Sequence, residues 1–309
     1  MPYLKAILMF FVLLHGLMPA KAQKGASLLD KTELGFQLVY QNNFRSADSL
    51  LHQNKKQHPH HYLNHILAAN IYWWRILYGE KSDKLDQLFT SEVDSGMALL
   101  EKIGVYRMNH EQLFLYLNLY GFRSRIYFRE RSYFKAIQTF SGIMGLLKTT
   151  FGKEPEFERF YFTSGLFNFY TGSGREYSNV IKAALFAFPP SDKMKGMEYL
   201  YRLIHSKDVI MKNESRYFLL KMSMDHMENY KESLRLSTML AKEYPTNALY
   251  QYYVFKNLVK LNRMEEARKE LAHLDLIMME NPSFKPDYIK FWKGKAQETL
   301  KRHYEASAD

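Results

Sequence analysis

Residues 32–59, TELGFQLVYQNNFRSADSLLHQNKKQHP, decide the fold. Two small residues, Gly35 and Ala47, stand 12 positions apart and are surrounded by large apolar side chains. Small residues let two helices cross at close range, because no bulky side chain separates the two backbones. Asn42-Asn43 is typical of a turn, and Pro59 ends the second helical pattern, since proline disrupts a helix interior. The stretch therefore predicts two packed helices joined by a short turn.

The same spacing recurs in tandem near the C-terminus. Tyr230 and Met264 lie 34 residues apart, and Ser233 and Ala267 are separated by the same interval. A fixed period of this length indicates stacked helix pairs, each of which buries its apolar face against its neighbours. Residues 113–148 keep the same offsets and are predicted to form a further unit, with core positions at Tyr127, Tyr133, Ala136 and Phe140.

These stretches resemble the tetratricopeptide repeat (TPR), a unit of about 34 residues built from two helices and a turn. In the first unit the resemblance rests on Leu34-Gly35, Phe44 and Ala47. It implies an all-α fold, an α-solenoid of TPR-like helix–turn–helix repeats with irregular middle units. Lys221 and Ser233 stand where the family usually has Gly and Ala. A generic helix bundle, the alternative fold, explains the apolar periodicity but not the fixed offsets.

The middle of the chain departs from the period. An aromatic helix is predicted over 60–78, and 79–104 is interpreted as an inserted helix with loops. Within 171–190, Gly172, Gly174 and a Pro-Pro pair predict a hinge or a break between sub-arrays, because glycine and proline disfavour helix interiors. The predicted organisation is one helical repeat domain over 23–309, with sub-arrays 23–170 and 191–309 joined by the irregular 171–190 segment.

The N-terminal residues 1–22 are interpreted as a secretory signal peptide. Lys5 precedes a largely apolar run of 13 residues, and Ala20-Lys21-Ala22 has the form of a cleavage site, so the mature chain is predicted to begin at Gln23. A helix of this length spans about 20 Å, less than the ~30 Å hydrocarbon core, which argues against a membrane anchor. We expect an exported, periplasmic protein of a Gram-negative envelope; association with the outer membrane and secretion are the alternatives.

The amino-acid composition further limits the classes of function that the protein can have. The chain contains no Cys, which excludes disulfides, cysteine-ligated zinc, iron–sulfur clusters and thiol catalysis. The net charge is +11, which favours acidic partners. No segment after the leader reaches 18 consecutive apolar residues, so no transmembrane helix is predicted. Export also argues against nucleic acid as a partner.

No motif in the chain predicts catalysis. His61 and His65 stand four residues apart, as zinc-binding pairs do, but no Glu follows His61, and a polar helix entrance is the favoured interpretation of the histidines at 58, 60, 61 and 65. The chain lacks a G-x-S-x-G elbow, and its Gly172-Ser173-Gly174 stretch lacks the pattern of a phosphate-binding loop. Neither enzymatic activity nor a cofactor or metal is predicted.

A basic stretch alternates with aromatic residues between positions 122 and 133. This pattern occurs in proteins that bind single-stranded nucleic acid. Here the aromatic residues fall on repeat-core offsets, so a solvated face or a patch for acidic ligands is the favoured interpretation. The arginines are Arg123, Arg125, Arg129 and Arg131.

The resemblance implies a concave groove lined by the first helix of each unit, where proteins or peptides bind. Lys256 and Lys260 stand one helical turn apart there and favour an acidic or carboxylate-bearing partner. The expected function is a non-enzymatic scaffold for a protein or peptide partner, and glycan capture is the alternative, given the many Trp and Tyr residues. Packing of the superhelix is the other role open to the aromatic members. The predicted groove residues are Arg125, Arg129, Phe218, Met222, Tyr252, Tyr253, Lys256, Lys260, Phe291, Trp292 and Lys295.

Overall fold

The structure, a computed structural model, describes residues 27–80, 82–130, 132–177, 185, 188–280 and 285–306. The predicted signal peptide, the predicted start at Gln23 and Arg131 lie outside the described residues. Within them the chain forms 13 α-helices and no β-strand, which confirms the all-α prediction. The helices are α1 (Leu28–Tyr40), α2 (Phe44–Gln57), α3 (Tyr62–Leu77), α4 (Asp83–Glu101), α5 (His110–Arg129), α6 (Tyr133–Lys148), α7 (Phe160–Tyr177), α8 (Lys193–Leu203), α9 (Val209–Asp225), α10 (Tyr230–Glu243), α11 (Ala248–Lys260), α12 (Met264–Glu280) and α13 (Pro286–Ala306).

The helices pack in sequence order as six pairs, α1–α2 through α11–α12, and α13 packs on α11. This order is that of an α-solenoid, in which each pair contacts the next. The stretch at 32–59 falls on the pair α1 and α2, as predicted. Its turn contains Asn42 at φ 60°, and the Asn43 side chain caps α2 by accepting a hydrogen bond from the Ser46 backbone N–H at 3.1 Å.

Turns of the same geometry stand inside the later pairs. Glu228, between α9 and α10, has φ 50°, and Asn262, between α11 and α12, has φ 56°. These two residues lie 34 positions apart, which is the period read from the apolar pattern. Asn229 then caps α10 by accepting from the Glu232 N–H at 3.2 Å, as Asn43 does in the first pair. The 34-residue period therefore recurs in the positions of the turns as well as in the apolar pattern.

The helix predicted within 79–104 is present as α4, but it is not an insertion. Helix α4 is the second member of the pair α3–α4, and the two helices run antiparallel. The Trp73 and Phe89 rings lie 5.8 Å apart, and the His65 Nδ1 atom lies 2.6 Å from a Glu92 carboxylate oxygen. Gly96 of α4 is buried close to α3, where a Cβ atom would stand 3.2 Å from the His65 Cβ atom. No small residue of α3 precedes Gly96 by 12 positions, as Gly35 precedes Ala47, so the repeat pattern does not predict this pair. Helix α4 also buries an apolar stripe. The stripe is Leu85, Phe89, Val93, Met97 and Leu100.

The predicted hinge at Gly172 and Gly174 is helical instead, because α7 continues to Tyr177. Glycines of this region lie where α7 and α8 cross at close range. A Cβ atom at Gly196 of α8 would lie 2.5 Å from the Phe169 backbone nitrogen and 2.7 Å from the Gly165 carbonyl oxygen. These residues are glycine because the two backbones touch. Residues 178–184, the centre of the predicted irregular segment, lie outside the described residues.

The two predicted sub-arrays share one core. The Tyr40 and Tyr244 rings lie 5.7 Å apart, the Trp74 and Tyr250 rings 5.8 Å, and the Tyr78 and Trp292 rings 5.7 Å. The Tyr78 hydroxyl also donates to Asn247 Oδ1 at 3.0 Å, and Asn247 Nδ2 donates to the Tyr40 carbonyl at 2.7 Å. Helices α1 and α3 therefore pack against α11 and α13, and the solenoid closes on itself through buried aromatic side chains.

A second contact across the closed solenoid centres on Arg159, which directly precedes α7. Its guanidinium makes three ion pairs of 2.6 Å, with Glu33 of α1, Glu111 of α5 and Asp208 at the start of α9. The Arg159 side chain is 14% exposed, so solvent screens these pairs only partly. One cation thus connects four elements that are far apart in the chain.

Candidate partner-binding surface

The predicted groove residues lie on α5, α9 and α11, each the first helix of its pair, and on α13. At one end, the Arg125 guanidinium lies 4.7 Å from the centroid of the Phe122 ring and 5.4 Å from that of Phe218. It also lies 3.5 Å from a Glu214 carboxylate oxygen. Arg125 therefore joins α5 to α9 and is the start of a continuous basic and aromatic surface.

The surface continues from α9 to α11 through tyrosine side chains. The Phe218 and Tyr217 rings lie 5.8 Å apart, and the Tyr217 and Tyr253 rings 6.2 Å. The Lys221 ammonium lies 5.2 Å from the Tyr253 ring centroid and 2.5 Å from an Asp225 carboxylate oxygen. Burial alone would lower the pKa of Lys221, but Tyr217 and Asp225 outweigh burial and raise it. Lys221 is thus a fixed positive charge at the centre of this surface.

Several of the predicted groove residues are buried. Met222 is fully buried, and Trp292, Tyr252 and Tyr253 are 2%, 7% and 8% exposed. Tyr252 packs on Trp292 at 5.3 Å, and its hydroxyl lies 3.0 Å from Thr299 Oγ1. In this closed arrangement these side chains pack the superhelix, the other role that the sequence leaves open. They support the surface from beneath rather than form its exposed part.

The exposed part is cationic. Lys260 is exposed and its ammonium lies 5.6 Å from the Tyr230 ring centroid, while Lys256 is half-buried one helical turn earlier on α11. On α13, the Lys295 ammonium lies 5.7 Å from the Phe291 ring centroid. Half-buried Phe291 packs on the backbone of Gly79, where a Cβ atom would lie 2.4 Å from the ring. We call the lysines at 221, 256, 260 and 295 the lysine cluster.

Lys256 differs electrostatically from the other members of the lysine cluster. Burial lowers the pKa of Lys256, the neighbouring Lys221 lowers it further, and Lys260 and Lys295 act in the same direction. Asp225 opposes these effects without reversing them. Among the described residues no carboxylate lies within ion-pair distance of the Lys256 ammonium. The charged form of Lys256 is therefore less favoured than that of a fully solvated lysine.

Arg129 lies apart from the lysine cluster. Its guanidinium donates two hydrogen bonds to the Asp86 carboxylate of α4, at 2.9 and 2.7 Å. Such a two-pronged ion pair holds the arginine against the second helix of the neighbouring pair. The sequence predicts Arg129 beside Arg125 because both lie on the same helix. In the structure the two side chains contact different neighbours.

The histidines near the start of α3 have local structural partners. His61 accepts a hydrogen bond from the Leu63 N–H at 3.3 Å through its Nδ1 atom and so caps the helix. His65 contacts Glu92, which also binds the Lys55 ammonium at 2.7 Å. In the part of the chain that the structure describes, no group of three or more His, Asp or Glu side chains is arranged to hold a metal ion.

Sequence reasoning missed two contributors to the surface, Asp225 and Tyr170. Tyr170 of α7 is 37% exposed, and its ring lies 6.5 Å from that of Phe218. Asp225 follows Lys221 by four residues, a spacing that favours helix ion pairs and could have identified it. Tyr170 carries no comparable signal, because it joins the surface through contacts between helices distant in sequence.

Comparison with known proteins assigns no family, since no protein-family profile matches the chain and no curated protein matches it significantly. None of the helices within the described ranges combines the length and apolar character required to span a membrane.

Proposed function

We propose that this protein is a non-enzymatic, exported scaffold that binds a protein or peptide partner at the surface around the lysine cluster. The observation that carries the proposal is the half-buried Lys256, which has no carboxylate partner in the described part of the chain. Desolvation destabilises a charge that lacks a counter-charge, and groups perturbed in this way cluster at functional sites. A partner carboxylate would supply the missing counter-charge.

The surroundings of Lys256 favour a protein or peptide over a glycan. The largest aromatic side chains beside it, Tyr252 and Trp292, present almost no ring face to solvent, and stacking on a sugar requires an exposed ring. The exposed residue beside Lys256 is Lys260 instead, which suits a charged partner. Glycan capture therefore has less support than peptide binding.

We also propose that the helix pairs are TPR-like units and that the protein resides in the cell envelope. The 34-residue interval between the turn residues Glu228 and Asn262 supports the first point. The leader-like residues 1–22 support the second. Periplasmic location is favoured over outer-membrane association and secretion.

The test compares two double charge reversals that change the net charge equally. Lys256→Glu with Lys260→Glu alters the lysine cluster, whereas Lys242→Glu with Lys269→Glu alters exposed lysines of α10 and α12. We expect the first variant to fold normally but to lose the partner that the parent captures from envelope extract. We expect the second variant to retain it, because its altered lysines lie on the second helices.

Circular dichroism establishes that both variants are folded before capture is compared. Capture by the parent is expected to weaken as salt rises, because screening weakens attraction between exposed charges. If the first variant retains the same partners as the parent, the binding surface lies elsewhere and the proposal fails.

A further inference from the structure

The charge balance of the lysine cluster indicates what its partner carries. Its four lysines lie on α9, α11 and α13, and the Lys221 ammonium lies 5.2 Å from the Tyr253 ring of α11. Lys221, Lys260 and Lys295 each lower the pKa of Lys256. Lys221 is paired with Asp225 at 2.5 Å, and Lys295 lies 3.7 Å from Glu298. Among the described residues no carboxylate comes within 4 Å of Lys256 or Lys260. The cluster therefore has two unmatched positive charges, both on α11.

The spacing of the two unmatched lysines limits the geometry of a complementary ligand. Lys256 and Lys260 are four residues apart on one helix, so their side chains project from points about 6 Å apart on the same face. Alternate residues of an extended chain lie about 6.6–6.8 Å apart and point to the same side. Two acidic side chains separated by one residue in an extended segment therefore match the two lysines.

The carboxylates already present favour acidic side chains over phosphate groups. Asp225 and Glu298 stand beside the site, and a phosphate with nearly two negative charges is repelled by them more strongly than a carboxylate with one. The cluster also contains only lysines, whereas two-pronged recognition of phosphate is typical of arginine. The half-buried Tyr230 ring beside Lys260 adds apolar area for the peptide backbone between the acids.

We propose that Lys256 and Lys260 bind two acidic side chains, separated by one residue, of an extended segment of the partner. This inference rests on the proposed function and names the chemistry of the partner at the same surface. Lys256 determines specificity, because binding supplies the counter-charge that the free protein lacks. Lys260 is exposed and contributes mainly through attraction at longer range.

The experiment titrates the full mature chain with a blocked peptide of alternating glycine and glutamate. The same peptide with glutamine in place of glutamate is the control ligand. We expect the glutamate peptide to bind, Lys256→Met to weaken it about tenfold, and Lys269→Met to leave it unchanged. A tenfold change corresponds to about 1.4 kcal/mol, within the range of a charged hydrogen bond. Lys256→Met is also expected to melt at the same temperature as the parent or slightly higher, because it removes a partly buried charge.

The inference is overturned if the glutamate and glutamine peptides bind equally, or if Lys256→Met binds the glutamate peptide as the parent does. It is also overturned if a short oligothymidine binds more tightly than the glutamate peptide, since phosphate would then be the preferred ligand. Failure here is separate from failure of the proposed function. Loss of the captured partner in the Lys256→Glu, Lys260→Glu variant would keep the surface and reject only the acidic pair.

Discussion

Arg159→Met is expected to lower the free energy of unfolding by about 3 kcal/mol or more. The substitution keeps much of the side-chain volume but leaves the carboxylates of Glu33, Glu111 and Asp208 without their shared cation. Removing one partner of a buried ion pair typically costs 3–5 kcal/mol, because the remaining charge stays desolvated. Here three negative charges remain near one another, and each belongs to a different element of the closed solenoid. Denaturant unfolding of parent and variant measures the difference.

The matched control is Arg202→Met, which removes an ion pair of ordinary surface type. Arg202 is 53% exposed and pairs with Glu198 one turn away on the same helix. Solvent screens such an exposed pair, so we expect little change in stability. Equal destabilisation by the two substitutions would show that Arg159 does not hold the closed arrangement together.

The loss of stability caused by Arg159→Met is expected to become smaller as the pH falls. Burial raises the pKa of Glu111, Arg159 opposes the increase, and Glu33 and Asp208 add to it. Without Arg159 the pKa rises further, so the folded variant binds a proton that the unfolded chain releases. Stability of the variant relative to the parent therefore rises as pH falls from 7 towards 5. If the loss of stability is constant over this pH range, the three carboxylates are more solvated than the structure indicates.

Gly196→Ala is expected to destabilise the protein by about 2–3 kcal/mol. The added Cβ atom would stand 2.5 Å from the Phe169 nitrogen and 2.7 Å from the Gly165 carbonyl oxygen, which are backbone atoms. A side chain in the way can rotate, but a helix backbone can relieve the contact only if α7 and α8 move apart. Overpacking of this kind typically costs 1–3 kcal/mol. The thermal unfolding midpoint measures the effect.

The control for Gly196→Ala is Gly145→Ala on α6. Gly145 is exposed, and a Cβ atom there would meet nothing within 4 Å. Alanine is favoured over glycine in a helix interior by about 1 kcal/mol, so this variant is expected to be as stable as the parent or more so. If both variants were equally stable, the contact between α7 and α8 would be looser than described.

Local features of the fold were predictable from sequence. Turns such as Asn42-Asn43 can be predicted because their residues tolerate a positive φ. Small residues such as Ala47 indicate where two helices are in close contact. The pair α3–α4 is not predicted, because its small residue Gly96 does not stand at the 12-residue spacing of the repeat pattern. The glycines near 172 were misassigned for a different reason, since glycine can mark either a flexible segment or a close backbone contact.

The candidate surface was only partly predictable. Helical spacing correctly placed Lys256 and Lys260 on one side of α11, because four residues make about one turn. Burial of Tyr252 and Trp292 depends on closure of the solenoid, which brings α3 against α13 across more than 200 residues of chain. Repeat offsets describe only contacts between neighbouring units, so they cannot show which concave side chains become core.

Zero-length carbodiimide crosslinking of the complex formed with envelope extract tests the central claim most directly. This reagent joins a lysine amine to a carboxylate in direct contact, and mass spectrometry then identifies both residues. The account predicts bonds from Lys256 or Lys260 to Asp or Glu residues of the partner. A partner joined only to lysines of the second helices, such as Lys242 and Lys269, would contradict it.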